Sequence, residues 1–281
     1  NDMIYIDASQ MFIANAMVYL SYNDELDENK YKFMIYSTLL SYMKNKRKYG
    51  DVILCFDSKK NWRRSVFEYY KASRRKSRKE ETKIDWPAIF KVIDATKLDL
   101  NNHFPFKCIE VENAEADDVI GILSKHIQDK SLIISSDKDY FQLQRYNWIS
   151  QYSPITKKQV KPTGSPSNYL REHIIRGDKG DGIPNFLSAD NIFVEGGRQA
   201  PITKKKLDSW FGKDPKEFCD ETMLRNFQRN ELLIDFDKIP KEIENTVLES
   251  YANSVIHKKS KLLNYFIENR FKEFISKIDN F

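Results

Sequence analysis

Along the first 160 residues, short continuous apolar runs alternate with longer stretches of helical spacing. Met3–Ile6, Val52–Phe56, Phe106–Val111 and Leu132–Ile134 are apolar runs of strand length, and runs without polar alternation predict buried parallel strands. Between them, Met11–Leu20, Tyr31–Lys48 and the segment carrying Val119, Ile122, Leu123 and Ile127 predict helices. Trp148–Tyr152 reads as an edge strand, followed by a short polar strand around Gln159–Val160. Strands alternating with helices predict an α/β fold: a central, mainly parallel, twisted sheet with helices on both faces. The Pro/Gly/Ser-rich loop over 162–166 then marks a boundary. Beyond it, Ser165 caps a helix that has Pro166 at its first position and runs to Ile175. Leu207–Phe211, Glu217–Leu233 and Glu242–Phe281 continue as helices, so a smaller α-helical unit over 163–281 is expected beside an α/β unit over 1–162. The stretch 186–203 has no period and is expected to be a mobile loop. Leu262, Phe266, Phe271, Phe274 and Ile278 form the apolar stripe of a closing segment.

The acids fall where the strands stop. Asp7 follows the first strand, Asp57 the second, and Glu115, Asp117 and Asp118 stand just beyond the third. Asp137 and Asp139 come straight off the fourth. One such acid is an ordinary helix cap, but the recurrence has a single explanation in converging ligands. Parallel strands bring the loops at their carboxyl ends to one edge of the sheet, where open α/β folds bind ligands. Acids crowded there repel one another unless cations or protons neutralise them, and an all-oxygen ligand set points to Mg²⁺ or Mn²⁺. An EF-hand is excluded as the explanation of Asp137 and Asp139, because Phe141 and Gln142 occupy loop positions that need an acid or Asn and a Gly.

Charge sharpens the picture. The 281-residue chain has a net charge of only +5, but ten Lys and Arg against one acid, Glu68, lie between Lys59 and Lys79. As one helix this segment would place Arg63, Phe67, Tyr70/Lys71, Arg74 and Arg78 on a common face. Cations mixed with aromatic rings suit phosphates and unpaired bases of single-stranded nucleic acid. Further on, Arg176-Gly177-Asp178-Lys179-Gly180-Asp181-Gly182-Ile183-Pro184 ends a helix in a glycine-rich turn, the kind of element whose backbone N–H groups hold a duplex phosphate. Taken alone, such a run is most often a polar turn. The three cysteines, 55, 108 and 219, have no metal-ligand spacing and read as reduced core residues of a cytoplasmic protein. No apolar run reaches membrane length. His103, His126, His173 and His257 fall at no ligand spacing and are read as incidental.

Asp7, Asp57, Glu115-Ala116-Asp117-Asp118, Ser135-Ser136-Asp137-Lys138-Asp139 and Gly177–Pro184, taken in order, resemble the 5′-nuclease (flap endonuclease) family over nearly the whole chain. The segments WRRSVFEYYK and IDFDKIP resemble its phage ribonuclease H branch. The resemblance implies a PIN-like nuclease domain with a basic helical arch at about 59–82 and a helix–turn–helix domain that grips duplex. It also implies two Mg²⁺ ions, with Mn²⁺ able to substitute, held by a ring of Asp7, Asp57, Glu115, Asp117, Asp118, Asp137, Asp139, Asp178 and Asp181. Asp117 and Asp139 would be closest to the chemistry. Lys71 and Arg63 or Arg64 would approach the scissile phosphate, and Tyr70 would stack on the terminal nucleotide. Arg74, Arg75 and Arg78, with Gly177, Lys179, Gly180 and Gly182 of the turn, would hold nucleic acid. The substrates implied are DNA and RNA–DNA hybrids bearing a 5′ end or flap, as in removal of lagging-strand primers. A monomer working with a single-strand-binding protein and a sliding clamp is the family expectation. The alternatives are a PIN-type ribonuclease and a noncatalytic branched-DNA-binding protein on the same fold.

Overall fold

A computed structural model describes residues 2–45 and 49–281. In chain order the regular elements are β1 (Met3–Asp7), α1 (Ala8–Leu20), α2 (Glu28–Tyr42), β2 (Asp51–Phe56), α3 (Trp62–Val66), α4 (Ala72–Glu80), α5 (Trp86–His103), β3 (Lys107–Glu110), α6 (Ala116–His126), β4 (Ser131–Ile134), β5 (Ile149–Ser153) and β6 (Lys158–Gln159). They continue as α7 (Pro166–Arg176), α8 (Lys204–Trp210), α9 (Pro215–Phe218), α10 (Glu221–Ile234), α11 (Lys241–Asn253), α12 (Lys259–Glu268) and α13 (Lys272–Ile275).

Six strands form one sheet in the order β3-β2-β1-β4-β5-β6. All neighbours pair in parallel except β6, which runs antiparallel to β5. The period-two geometry of a strand splits each apolar run between two cores. Ile4, Ile6, Leu54 and Leu132 face a cluster with Phe12, Ile35, Leu39, Ile93 and Phe266. Met3, Tyr5, Ile53 and Ile133 face the opposite cluster, with Val119, Ile120, Leu123, Ile243 and Val247. Because both faces are covered there, the central strands β1, β2 and β4 are apolar and buried over nearly their whole length, whereas β5 alternates and the edge strand β6 is exposed. A third cluster joins Leu170, Ile174, Ile175, Phe186, Leu207, Phe227 and Leu233 of the helical region to Phe67 and Tyr70.

Several sequence expectations change in the structure. The basic segment is not one helix. It breaks after Val66, where Phe67 is extended (φ −145°, ψ 98°), and restarts after Lys71, which is left-handed (φ 53°). The break turns Phe67 and Tyr70 into the third core, where each is buried, so the common face of cations and rings does not exist. Helix α5, over a segment with no sequence assignment, begins at the Asp85 cap with Pro87 in its first turn. The stretch 186–203 is irregular but pinned: Asn185 donates to the Ala200 carbonyl at 2.8 Å, and Asn226 to that of Phe186 at 3.1 Å. Helix α2 starts from the Asp27 cap and ends at Tyr42; the expected end at Lys48 lies outside the described residues. After Asp235 the chain returns to the α/β layers, and α11 and α12 pack on opposite faces of the sheet.

The closing segment is held by rings. Phe266 is fully buried and contacts Tyr36, Phe104, Phe271, Phe274 and Phe281 at centroid distances of 5.3–6.2 Å. Phe266→Ala should therefore destabilise the fold by about 3–5 kcal/mol, measured by urea unfolding; a loss below about 1 kcal/mol would contradict this packing.

Candidate metal and phosphodiester site

With β1 in the middle, β2 follows on one side and β4 lies on the other, so the chain reverses direction of winding between β1 and β4. The carboxyl ends of these strands open a crevice there. Gln10, in the first turn of α1, ties the two sides together: its side-chain oxygen accepts from Ser135 Oγ and from the Ser136 N–H, each at 3.1 Å. Asp7 caps α1 by accepting from the Gln10 N–H at 3.2 Å, and Tyr140 donates to its other oxygen at 3.0 Å. Asp137 accepts the Asp139 N–H at 2.9 Å. Asp57 accepts the Ala116 N–H at 2.7 Å, which binds the end of β2 to the start of α6. Asp7 and Asp137 thus are caps, Asp57 reaches the first N–H of α6 from the next strand, and the three converge.

The acids sort into two groups. Asp118 is fully buried and committed: Arg63 grips both its oxygens, at 2.7 and 3.0 Å, the Trp62 ring N–H donates at 3.2 Å, and the Glu115 N–H at 2.9 Å. Its side chain has no oxygen facing the crevice free of these bonds, which corrects its expected place in the ring. Arg63 is equally committed, only 2% exposed, with its Nε on the Leu233 carbonyl at 2.8 Å. It braces the start of α6 from inside the protein, with both its Asp118 and Leu233 contacts made before any phosphate arrives. Tyr70 is likewise inside, its hydroxyl on Glu115 at 2.8 Å, so its ring presents no face for stacking in this structure.

Asp117, Asp139, Asp178 and Asp181 share one tight cavity with Arg63, Tyr70 and His173. Its free space is about 10 Å³, room for an ion or a water and not for an organic cofactor. A larger groove of about 440 Å³ lies on the β3 side, where Lys97 is paired with Glu110, and does not share these acids. Positive groups of the chain interleave with the acids. Lys71 Nζ donates to both oxygens of Glu115, at 2.8 and 3.0 Å, and lies 4.0 Å from Asp181. Arg74 reaches Asp181 at 2.9 Å. Asn61 also bonds Glu115.

The glycine-rich turn fits against this cluster. Gly177 has φ +67° and Gly182 φ +74°, a region that favours glycine. A Cβ at Gly182 would come within 2.7 Å of the Tyr69 carbonyl oxygen, so the turn and the broken basic segment meet backbone to backbone. The Lys71 N–H donates to the Asp181 carbonyl there at 2.7 Å. Gly180 and Lys179 are exposed on the turn, as is Arg64 on α3 before the break. Arg75 donates to the Glu68 carbonyl at 3.2 Å, and Arg78 lies over the Trp86 ring at 4.7 Å.

The missed residue is His173. Its ring stands between two of the acids, Nδ1 3.6 Å from Asp139 and Nε2 3.3 Å from Asp178. It is not incidental. The signal in the sequence is its place on the last turn of a helix five residues before Asp178, a spacing that no ligand motif flags. Tyr140 and Asn61 went unnoticed for the same reason.

Electrostatics follow from crowding. Burial, then the neighbouring Asp57, raise the Asp7 carboxyl to about 7. Burial, then Asp137, raise Asp139 to about 7 against the pull of His173. Burial, then Glu115 and Asp118, push Asp117 well above the carboxylate range. Asp57 has a solvent-exposed tip, yet the protein mass around it and then Glu115 raise it too. Glu115 goes the other way: burial opposes its charge, but Lys71 and Arg63 outweigh it. The hydrogen bond from His173 is the main cause holding Asp178 low. One oxygen of Asp117 is buried with no hydrogen-bond partner, a costly condition for a carboxylate. Acids held up by burial and then by one another, with an orphaned oxygen among them, have the donor chemistry of a hard divalent-cation site.

Residues 4–169 match the family model of the 5′-3′ exonuclease N-terminal, resolvase-like domain, and residues 164–281 match that of the C-terminal domain of T4 ribonuclease H. The chain belongs to the 5′-3′ exonuclease family of nucleases. It is 30% identical over 294 aligned positions to the ribonuclease H of Enterobacteria phage T4, covering 98% of this chain and 94% of that protein. It is also 30% identical over 143 positions to a 5′-3′ exonuclease of Buchnera aphidicola, 47% of each chain. The fold is shared with the bacteriophage T5 5′-exonuclease solved with zinc (TM-score 0.63, 18% identity, 90% of this chain and 97% of that one). It is shared too with the T5 flap endonuclease solved with DNA and metal ions (TM-score 0.61, 16% identity, 90% and 100%). Among the described residues no helix is long and apolar enough to cross a membrane.

Two outcomes test this site. Arg63→Ala leaves the buried Asp118 charge unpaired and should cost about 3–5 kcal/mol in urea unfolding; full stability with altered cleavage alone would return Arg63 to the substrate surface. Asp7 and Asp139 have folded values near 7, above the unfolded value of about 4. The folded chain then binds more protons in that interval, so metal-free stability is lost as pH rises from about 4 to 7. The melting temperature in EDTA should fall between pH 5.5 and 8, and added Mg²⁺ should raise it more at pH 8 than at pH 5.5. Equal Mg²⁺ effects at both pH values would contradict the assignment.

Proposed function

We propose that the chain is a Mg²⁺-dependent, two-ion 5′ nuclease that hydrolyses phosphodiesters from the 5′ ends of duplex DNA and RNA–DNA hybrids and at 5′ flaps. Its place would be the removal of RNA primers from lagging-strand fragments in phage DNA replication, acting as a monomer in the host cytoplasm. The observation that carries this reading is the tight cavity shared by Asp117, Asp139, Asp178 and Asp181, together with the unpartnered oxygen of Asp117. The names of the T4 ribonuclease H and of the T5 flap endonuclease solved with DNA support a nucleic-acid substrate.

Divalent ions seated among these acids would offset the repulsion, polarise the phosphodiester and activate the attacking water. The remaining work falls to the chain. Asp7, Asp57, Glu115, Asp137 and Asp139 come from four strand ends, so the rigid sheet sets their spacing. Arg63 and Asp118 stiffen the base of α6, which carries Asp117. Lys71, bonded to Glu115 and close to Asp181, is the cation best placed to meet a phosphate. Moving its ammonium from Glu115 to a nonbridging oxygen would stabilise charge that develops during cleavage. Arg64, Arg74, Arg75 and Arg78 flank the crevice and would track the strand by its phosphates, with a salt-dependent affinity. The turn at Gly177–Gly182, with Lys179 exposed, would hold the duplex behind the cut.

Asp117→Asn and Asp139→Asn should each lower cleavage of a labelled 5′ flap in Mg²⁺ by at least about a thousandfold. Duplex binding in EDTA should change by less than about threefold. Undiminished cleavage in either variant would remove the reading, and loss of binding together with cleavage would point to a structural role for that acid.

A further inference from the structure

We infer that His173 is a nitrogen ligand, with Asp139 and Asp178, of one of the two divalent-ion positions, and that it biases that position towards manganese-like ions over magnesium. The inference rests on the nuclease reading above. One donor atom from each of the three residues can be chosen so that all lie within 4.8 Å of one another. Ligands on opposite sides of an ion, each about 2.1 Å from it, are roughly 4.2 Å apart, so adjustments of a few tenths of an ångström bring these atoms into range. His173 sits in the last turn of α7, where its backbone carbonyl accepts the Gly177 N–H at 2.8 Å, and the Tyr169 ring meets its imidazole edge-on at 6.0 Å.

The neighbouring acids are unequally available. Asp181 is already engaged by Arg74 and approached by Lys71. Asp178 is oriented by the Asp181 N–H on one oxygen, at 3.1 Å, and turns the other to His173. Asp139 faces the ring from the helical turn that follows β4. Asp117, one oxygen of which is buried without a partner, lines the same cavity, an independent sign that a cation belongs there. An imidazole nitrogen adds a softer donor to an otherwise all-oxygen set, and such donors favour transition-metal ions over Mg²⁺.

The test is pulsed electron paramagnetic resonance on the full chain loaded with Mn²⁺. The wild type should show the nitrogen modulation of directly bound imidazole. His173→Asn should abolish it, and His126→Asn, distant from the cavity, should retain it. His173→Gln serves as a second variant with the same expectation. The weaker Mn²⁺ dissociation constant should rise about tenfold in His173→Asn, and Mg²⁺ affinity by less than about threefold. A wild type that binds Mn²⁺ and cleaves DNA without nitrogen coupling, or coupling that survives both variants, overturns the inference and leaves the nuclease reading standing. A wild type that binds no Mn²⁺ overturns both.

Discussion

Carboxylates gathered at the end of one sheet repel one another, and the rest of this molecule is arranged around that repulsion. In a crevice partly stripped of water, like charges a few ångströms apart cost far more than at an open surface. The chain answers with its own positive groups: Lys71 on Glu115, Arg74 on Asp181, His173 between Asp139 and Asp178, and Arg63 on Asp118. Only the last pair is complete, bidentate and sealed from solvent. The others are longer, shared or partly exposed, and leave Asp7, Asp117 and Asp139 with carboxyls pushed towards protonation. A fold that needed only stability would not keep such a set.

Topology explains why the acids meet at all. Parallel pairing sends every connection back over the sheet, so each strand ends on the same edge. Placing β1 between β2 and β4 puts Asp7 beside Asp57 on one side and Asp137 on the other. The helical region then closes the crevice from above. It does so through two glycines that permit backbone contact and through Lys71, whose left-handed conformation is fixed by the Asp181 carbonyl. The basic segment and the glycine-rich turn are thus one mechanical unit. Its buried contacts, Phe67 and Tyr70, were sacrificed from the exposed face that a continuous helix would have offered.

The α/β layering was legible because the central strands β1, β2 and β4 are apolar on both faces, a direct image of helices covering both sides. The acids at the strand ends were legible because they recur. Side-chain direction was not. Nothing in EADD distinguishes Asp117, which opens on the cavity, from Asp118, which turns to Arg63; helical geometry separates neighbours by about 100°, but only the partner decides which faces in. The break at Phe67 was hidden because Arg63, Phe67, Tyr70 and Arg74 do have helical spacing, and tertiary burial of two aromatic rings overrode it. His173 escaped because its partners come from the turn after β4 and from the glycine-rich turn after α7, neither at a metal-motif interval. Helix α5 carries a plain signal in Asp85 and Pro87, overlooked beside the charged run before it.

The central claim is that the strand-end acids and the glycine-rich turn form a single receptacle for divalent ions. Anomalous scattering from crystals grown with Mn²⁺ addresses it most directly. The account predicts peaks bounded by Asp117 and Asp139 on the sheet side and by Asp178 or Asp181 on the turn side, with Asp118 still bound to Arg63. Manganese found only at surface acids, with the Asp117 oxygen still without a partner, would contradict it.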